Sequence, residues 1–186
     1  MATLQWSKEL ELDVPAMDAT HREFVEMLTQ VEEASDALLL ERWNHLIAHT
    51  VEHFGQEDRW MEATGFSTGN CHSTQHKVVL DIMREGQKRA ESGDLAMVRG
   101  MTPELASWFS YHAQTMDAAL AQHMAAVGFD IDSGQVRHAV ALPAEPISGC
   151  GGACSSSSAN AVANPGYPAE PASLEDREPA MAQAAA

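Results

Sequence analysis

Through most of the first 129 residues an apolar side chain recurs every three or four positions. Phe24, Met27, Leu28 and Val31 stand at i, i+3, i+4 and i+7, with Glu23, Glu26, Glu32 and Glu33 between them. That spacing is the period of an α-helix with one buried face. It predicts a first helix over residues 18–37. Leu39, Trp43, Leu46, Ile47, Phe54 and Met61 form a second stripe over 38–63, followed by Gly65. A third helix is expected over 71–92, stopped by Gly93, and a fourth over 102–126, before Gly128. Thr102-Pro103-Glu104 reads as the start of the fourth, with threonine as N-cap and proline in the first turn. No alternating strand pattern competes. Four helices of roughly 20 residues with short connections predict an all-α, antiparallel, up-down-up-down four-helix bundle. Trp6 and Leu12 belong to an N-terminal arm laid across it.

The pattern breaks near residue 130. Ten of the eleven aromatic residues and eight of the nine histidines precede it. Beyond it stand six of the eight prolines and the low-complexity run GCGGACSSSS at 149–158. Such a segment buries too little apolar surface to offset the entropy of ordering it. The expected division is a bundle over 1–131 and a disordered tail over 132–186. Cys150 and Cys154 in that tail lack the further ligands that a zinc site needs and read as incidental. Cys71 reads as a small buried residue.

Charge narrows the partners. The chain carries 11 Lys+Arg against 27 Asp+Glu, a formal net charge of −16. Nucleic acid and anionic membrane would both repel it. No apolar run is long enough to span a bilayer, and no basic segment followed by an apolar one marks a secretory signal. The expectation is a soluble, cytoplasmic protein, with the tail as a possible contact to a protein partner.

The histidines carry the chemistry. His21 stands one turn inside the first helix. His53 and Glu57 are i, i+4 on the second, and His72 and His76 are i, i+4 on the third. Residues four apart share a helix face, so their side chains can converge on one metal or on neighbouring metals. His112 and Asp117 are five apart on the fourth helix, about 140° around a regular helical axis. They share a face if the helix carries a π-bulge; otherwise Asp117 reaches in sideways. Every helix can thus aim imidazole or carboxylate at one interior. Two octahedral irons offer twelve coordination positions. Five imidazoles, two bridging carboxylates and one oxo or hydroxo bridge fill all but one, and an open position beside a second redox metal suits dioxygen. A nitrogen-rich donor set favours iron over magnesium or calcium.

These residues, within MDATHREF (17–24), HTVEHFGQED (49–58) with Met61, HSTQH (72–76) and WFSYHAQTMD (108–117), resemble the hemerythrin family, and the bacterial hemerythrins in particular. The resemblance runs from about residue 4 to 128. It implies two non-haem irons joined by an oxo or hydroxo bridge. His72, His76 and His112 would hold one, His21 and His53 the other, with Glu57 and Asp117 bridging. The two-histidine iron would keep the open position.

The neighbours are read more plainly. His45, His123 and His138 are ordinary solvated side chains, and His49 supports the site by a hydrogen bond. Asp58 points about 100° from Glu57 and belongs to solvent. Phe54 and Trp108 are expected to wall the dioxygen pocket, and Phe109 also flanks a ligand. The expected function is reversible dioxygen binding for storage, delivery or sensing, without enzymatic turnover. The Glu-x-x-His pairs of oxidising carboxylate bundles do not occur in the chain. A peroxide- or nitric oxide-reducing enzyme and an iron-handling protein remain the alternatives.

Overall fold

The computed structural model describes residues 3–149. The remainder of the predicted tail, with Cys150, Cys154 and its expected role in partner binding, lies outside the described residues. Helix α1 (Pro15–Glu33) starts on a proline, whose missing N–H costs nothing in a first turn. Its buried face is Met17, His21, Phe24, Val25, Leu28 and Val31. Helix α2 (Asp36–Ala63) is the longest and ends at Thr64 and Gly65, the glycine at φ 95°. Helix α3 (Cys71–Glu91) is capped by Asn70, whose side chain accepts the Ser73 N–H at 2.9 Å.

The fourth rod differs from its expected start. Helix α4 runs Leu95–His112, capped by Asp94, and Pro103 sits inside it. Proline leaves the carbonyl four residues earlier, that of Arg99, without its amide donor. The Thr102 hydroxyl donates to that carbonyl at 3.1 Å, so the threonine repairs the ladder where it was expected to cap. A π-helical segment, Ala113–Asp117, follows, and helix α5 (Ala118–Val127) completes the rod.

Helix α1 packs on α2, α2 on α3, α3 on α4, and α4 returns to α1, which closes the four-helix bundle. In the N-terminal arm, Trp6 packs against the core and the Arg22 guanidinium lies 4.9 Å over its ring. Leu12 packs near Met17 and Trp60. No described helix is long and apolar enough to cross a membrane.

Residues 132–149, assigned to the tail from composition, are structured. Strand β1 (Phe129–Asp130) pairs antiparallel with β2 (Gln135–Val136), so the expected boundary at 131 falls inside a hairpin. The chain then returns to the α2–α3 loop. Ile147 N–H donates to Gly65 O at 3.0 Å, Ser67 N–H to Ile147 O at 2.9 Å and Cys71 N–H to Ser148 O at 3.0 Å. Backbone pairing and the apolar contacts of Phe129 and Ile131 hold this segment; a composition average over the whole C-terminal third hides them. Cys71 is half-buried and disulfide-bonded, not the plain core residue expected.

The interior has three layers. One apolar cluster is built around Phe24, Leu28, Trp43, Leu46, Phe54, Met83 and Phe109. A second holds Met17, Trp60, Met61, Leu120 and Met124. In α1, α2 and the fourth rod the buried side chains between these clusters include polar ones, and α3, which joins only the first cluster, adds His72 and His76 at the same level.

Two glycines test the helical account with one substitution of opposite sign. Gly100 lies exposed inside α4 with open space where a Cβ would stand. Gly100→Ala should raise the unfolding free energy by about 0.8–1 kcal/mol. Gly128 ends α5 in the left-handed region at φ 63°, with the His138 ring crowding its Cβ position. Gly128→Ala should lower stability by about 1–2 kcal/mol. Denaturant unfolding of the two variants checks both, and equal signs would contradict the assignment.

Candidate metal centre

The polar layer consists of His21 from α1, His53 and Glu57 from α2, His72 and His76 from α3, and His112 and Asp117 from the fourth rod. None of the seven is more than 3% exposed. The π-helical segment decides the last pair. It adds a residue to the turn and brings Asp117 Oδ1 to 3.2 Å from His112 Nε2. Of the two arrangements open from sequence, the bulge is the one found.

The imidazoles form two groups. Nε2 of His112 lies 3.0 Å from Nε2 of His72 and 3.2 Å from Nε2 of His76. Three ring nitrogens turned toward one another make poor mutual hydrogen bonds, since each offers either a proton or a lone pair. They suit a shared cation: donors about 2.1 Å from one ion and at right angles lie about 3 Å apart. His21 and His53 form the second group, with ring centroids 5.0 Å apart.

Each carboxylate straddles the two groups. Glu57 Oε1 faces His53 at 3.0 Å and His21 at 3.6 Å, while Oε2 faces His76 at 3.3 Å and His72 at 3.4 Å. Asp117 Oδ1 faces His72 at 3.0 Å, and Oδ2 faces His21 at 3.3 Å. Two sets of donors satisfy the spacing of a metal site: Glu57, His72, His76, His112 and Asp117, and His21, His53 and Glu57. Both nitrogens of His21, Glu57 Oε2 and both Asp117 oxygens are buried without a hydrogen-bond partner. Orphaned atoms of this kind are costly in a folded interior, and a metal would satisfy them. The donor set therefore fits metal.

In the metal-free chain, protons take up part of this demand. Burial alone would lower the pKa of His21, but the Asp117 and Glu57 carboxylates facing its Nε2 outweigh burial and hold it at about 9. His72 is held at about 9 by the same balance. Burial lowers His112 in spite of Asp117 beside it. Glu57 would be raised by burial, yet the surrounding imidazoles, His53 foremost, pull it well below the carboxylate range. Asp117, opposed by burial and by the Glu57 charge, is pulled down by His112 and His21.

The aromatic shell divides differently from the expectation. Trp108 stacks on His112, with centroids 4.4 Å apart, and Phe54 stacks on His76 at 4.0 Å and 5°. Trp108 thus covers the three-histidine group. The rings reaching the two-histidine group are Phe109, edge-on to His21 at 5.2 Å, and Phe24, 6.5 Å from His53. Phe54 also touches His53, at 5.3 Å. Phe24 carried no signal in sequence beyond its place in the core stripe.

Asp58 departs from its solvent assignment. Its Oδ1 lies 3.2 Å from His76 Nδ1. The angular argument considered one helix alone, and the partner comes from the next. His49 was expected to hydrogen-bond in support of the site; its Nε2 lies 3.1 Å from Thr20 O on α1, a bond to backbone and to none of the seven. His45 and His138 are exposed. His123 has a structural partner, Thr64 O at 2.8 Å, which ties α5 to the end of α2.

A buried, nitrogen-rich donor cluster between the rods of an antiparallel bundle defines a metal-binding helical protein. Residues 12–124 match the family model described as the hemerythrin HHE cation binding domain, and the chain belongs to the hemerythrin family. It is similar to a bacteriohemerythrin of Ralstonia nicotianae, 39% identical over 130 residues that cover 70% of this chain and 95% of that protein. A bacteriohemerythrin of Stenotrophomonas maltophilia is 25% identical over 130 residues, covering 68% and 84%. One from Pseudomonas aeruginosa is 26% identical over 124 residues, covering 63% and 79%. No solved structure matches the chain.

The imidazole shifts give a signed prediction. His21 and His72 carry protons up to about pH 9 in the metal-free chain, and a ligating imidazole must be neutral. Metal uptake at neutral pH should therefore release protons, and affinity should fall further with acid. Calorimetry in buffers of different ionisation enthalpy measures the release, and none at neutral pH would contradict the geometry. The same raised pKa values stabilise the metal-free fold below the ordinary imidazole value near 6.5. That contribution is lost as pH rises through about 9.

Proposed function

We propose that this chain binds dioxygen reversibly at a pair of non-haem irons held by His21, His53, Glu57, His72, His76, His112 and Asp117. The observation that carries the reading is the straddling of both carboxylates, each with one oxygen toward each histidine group. That is the arrangement two adjacent cations require and one cation does not. Such a pair, when bound, would supply electrons and a free coordination position for dioxygen.

The residues explain why that position belongs to one side. Three imidazoles and two carboxylate oxygens serve the His72–His76–His112 group. Two imidazoles and two carboxylate oxygens serve His21 and His53. The poorer side lies against Phe109 and Phe24, both 0% exposed, so water is kept from it. Exclusion of water protects reduced metal from loss of electrons to solvent-borne oxidants.

Binding without turnover is favoured by what surrounds the centre. Among the described residues, the other buried polar side chains are Thr50, Thr64, Asn70, Ser73 and Thr102. None of them is a general acid at neutral pH, and reduction of peroxide or nitric oxide needs protons delivered to the site; the ionisable neighbours His49 and Asp58 stand outside the ring of seven, against Thr20 O and His76 Nδ1. Oxygen storage or delivery is the role this supports.

The reduced chain should take up one dioxygen per two irons and release it under vacuum, followed optically with metal analysis. Fast irreversible oxidation without a coloured adduct would overturn the reading. Sustained turnover of peroxide or nitric oxide would favour the enzyme instead. Phe109→Leu removes the ring edge from His21 while keeping the site apolar. It should leave uptake intact and speed irreversible oxidation severalfold.

A further inference from the structure

The seven inward-facing side chains leave one contact unexplained. His76 Nε2 points into the centre, 3.3 Å from Glu57 Oε2, while its Nδ1 points out to Asp58 Oδ1 at 3.2 Å. The outer nitrogens of His21, His53 and His112 are buried without any hydrogen-bond partner. His76 is set apart from these three by a carboxylate behind it. Phe54, parallel to its ring, fixes the ring plane. The Asp58 side chain is 43% exposed. It lines a surface cavity of about 230 Å³ together with Arg59, Asn70, Ser73 and Lys77. Asp58 therefore touches a candidate ligand on one side and solvent on the other.

A carboxylate accepting the Nδ1 proton does two things. It selects the tautomer whose Nε2 lone pair faces inward, and it raises the donor strength of that lone pair. We infer that Asp58 is a positioning residue that makes His76 a stronger imidazole donor than His21, His53 and His112 and ties the three-histidine half to the protein surface. The inference rests on the diiron reading above. Better donation stabilises the more highly charged metal, so Asp58 lowers the reduction potential of the three-histidine half. It also slows the departure of metal from that half.

The test uses the full chain loaded with iron, and with zinc as a diamagnetic probe, as wild type, Asp58→Asn and Asp58→Glu. Asp58→Asn keeps the size of the side chain and removes its charge. It should release metal to a chelator about 10–100-fold faster than wild type and raise the reduction potential of the iron form. The melting temperature of the metal-free chain should stay close to that of wild type, because the side chain is half in water. Asp58→Glu should restore much of the retention and of the potential. In the zinc form, the 15N spectrum of His76 should show a proton on Nδ1 that shifts on Asp58→Asn. Unchanged release, potential and His76 spectrum in Asp58→Asn, with two metals still bound per chain, would overturn the role of Asp58 alone. A wild-type chain that takes up fewer than two metals would overturn the diiron reading and this inference with it.

Discussion

The burial of two carboxylates among five imidazoles is the constraint from which the rest of this fold follows. An ionised carboxylate moved into an apolar interior loses hydration worth many kcal/mol, and pairing alone rarely returns it. Glu57 and Asp117 are both 0% exposed, and three of their four oxygens lack a hydrogen-bond partner. The imidazoles return part of the loss as protonated partners, which is why His21 and His72 hold their protons to about pH 9. Cations placed between the groups would satisfy the same atoms more completely. Metal bound there would add to the folding energy, in addition to any part it has in function.

That polar layer dictates the architecture around it. It divides the interior into two apolar clusters, and α1, α2 and the fourth rod must cross from one to the other in register, while α3 starts in the polar layer with His72 and His76. Helix α1 does so with Met17, His21 and Phe24, and α2 with Phe54, Glu57 and Trp60. In the fourth rod, His112 and Asp117 are five residues apart, and a regular helix would turn one of them away. The π-helical segment Ala113–Asp117 absorbs the mismatch. Its presence is a local departure from the best helix geometry, compensated by placing Asp117 between His72 and His21.

Legibility from sequence follows the range of the interactions. The bundle and the seven inward-facing residues were readable because both depend on spacing within single helices: His53 with Glu57, and His72 with His76. The true start of the fourth rod was not. Thr102-Pro103 has the composition of a helix start, and only the hydrogen bond from Thr102 to Arg99 O shows why the proline is tolerated inside. The contacts of Asp58 with His76 and of Trp108 with His112 are hidden for a related reason. What each touches is set by how adjacent helices face one another, which no periodicity within one helix records. The segment 132–149 escaped because a short hairpin on 129–130, bonds from Arg137 and His138 to Gly128 and Val127, and the pairing of Ile147 and Ser148 with 65–71 order it, none of which composition records.

The two halves of the centre are unequal in more than their number of imidazoles. The three-histidine half is covered by Phe54 and Trp108 stacked flat on its rings, and through Asp58 it reaches solvent. The two-histidine half meets Phe109 edge-on and Phe24 at longer range, and the outer nitrogens of His21 and His53 are orphaned. A carboxylate behind the ring fixes an imidazole in place and strengthens its donation. His21 and His53 have no such partner, and the rings beside them are edge-on or tilted. On the diiron reading, a metal on the richer side would be held and kept electron-rich, while one on the poorer side would retain room for an exogenous ligand. The asymmetry that binding a small neutral molecule at one metal of a pair needs would then lie in the residues behind the donors as well as in the donors. Both come from the same four helices.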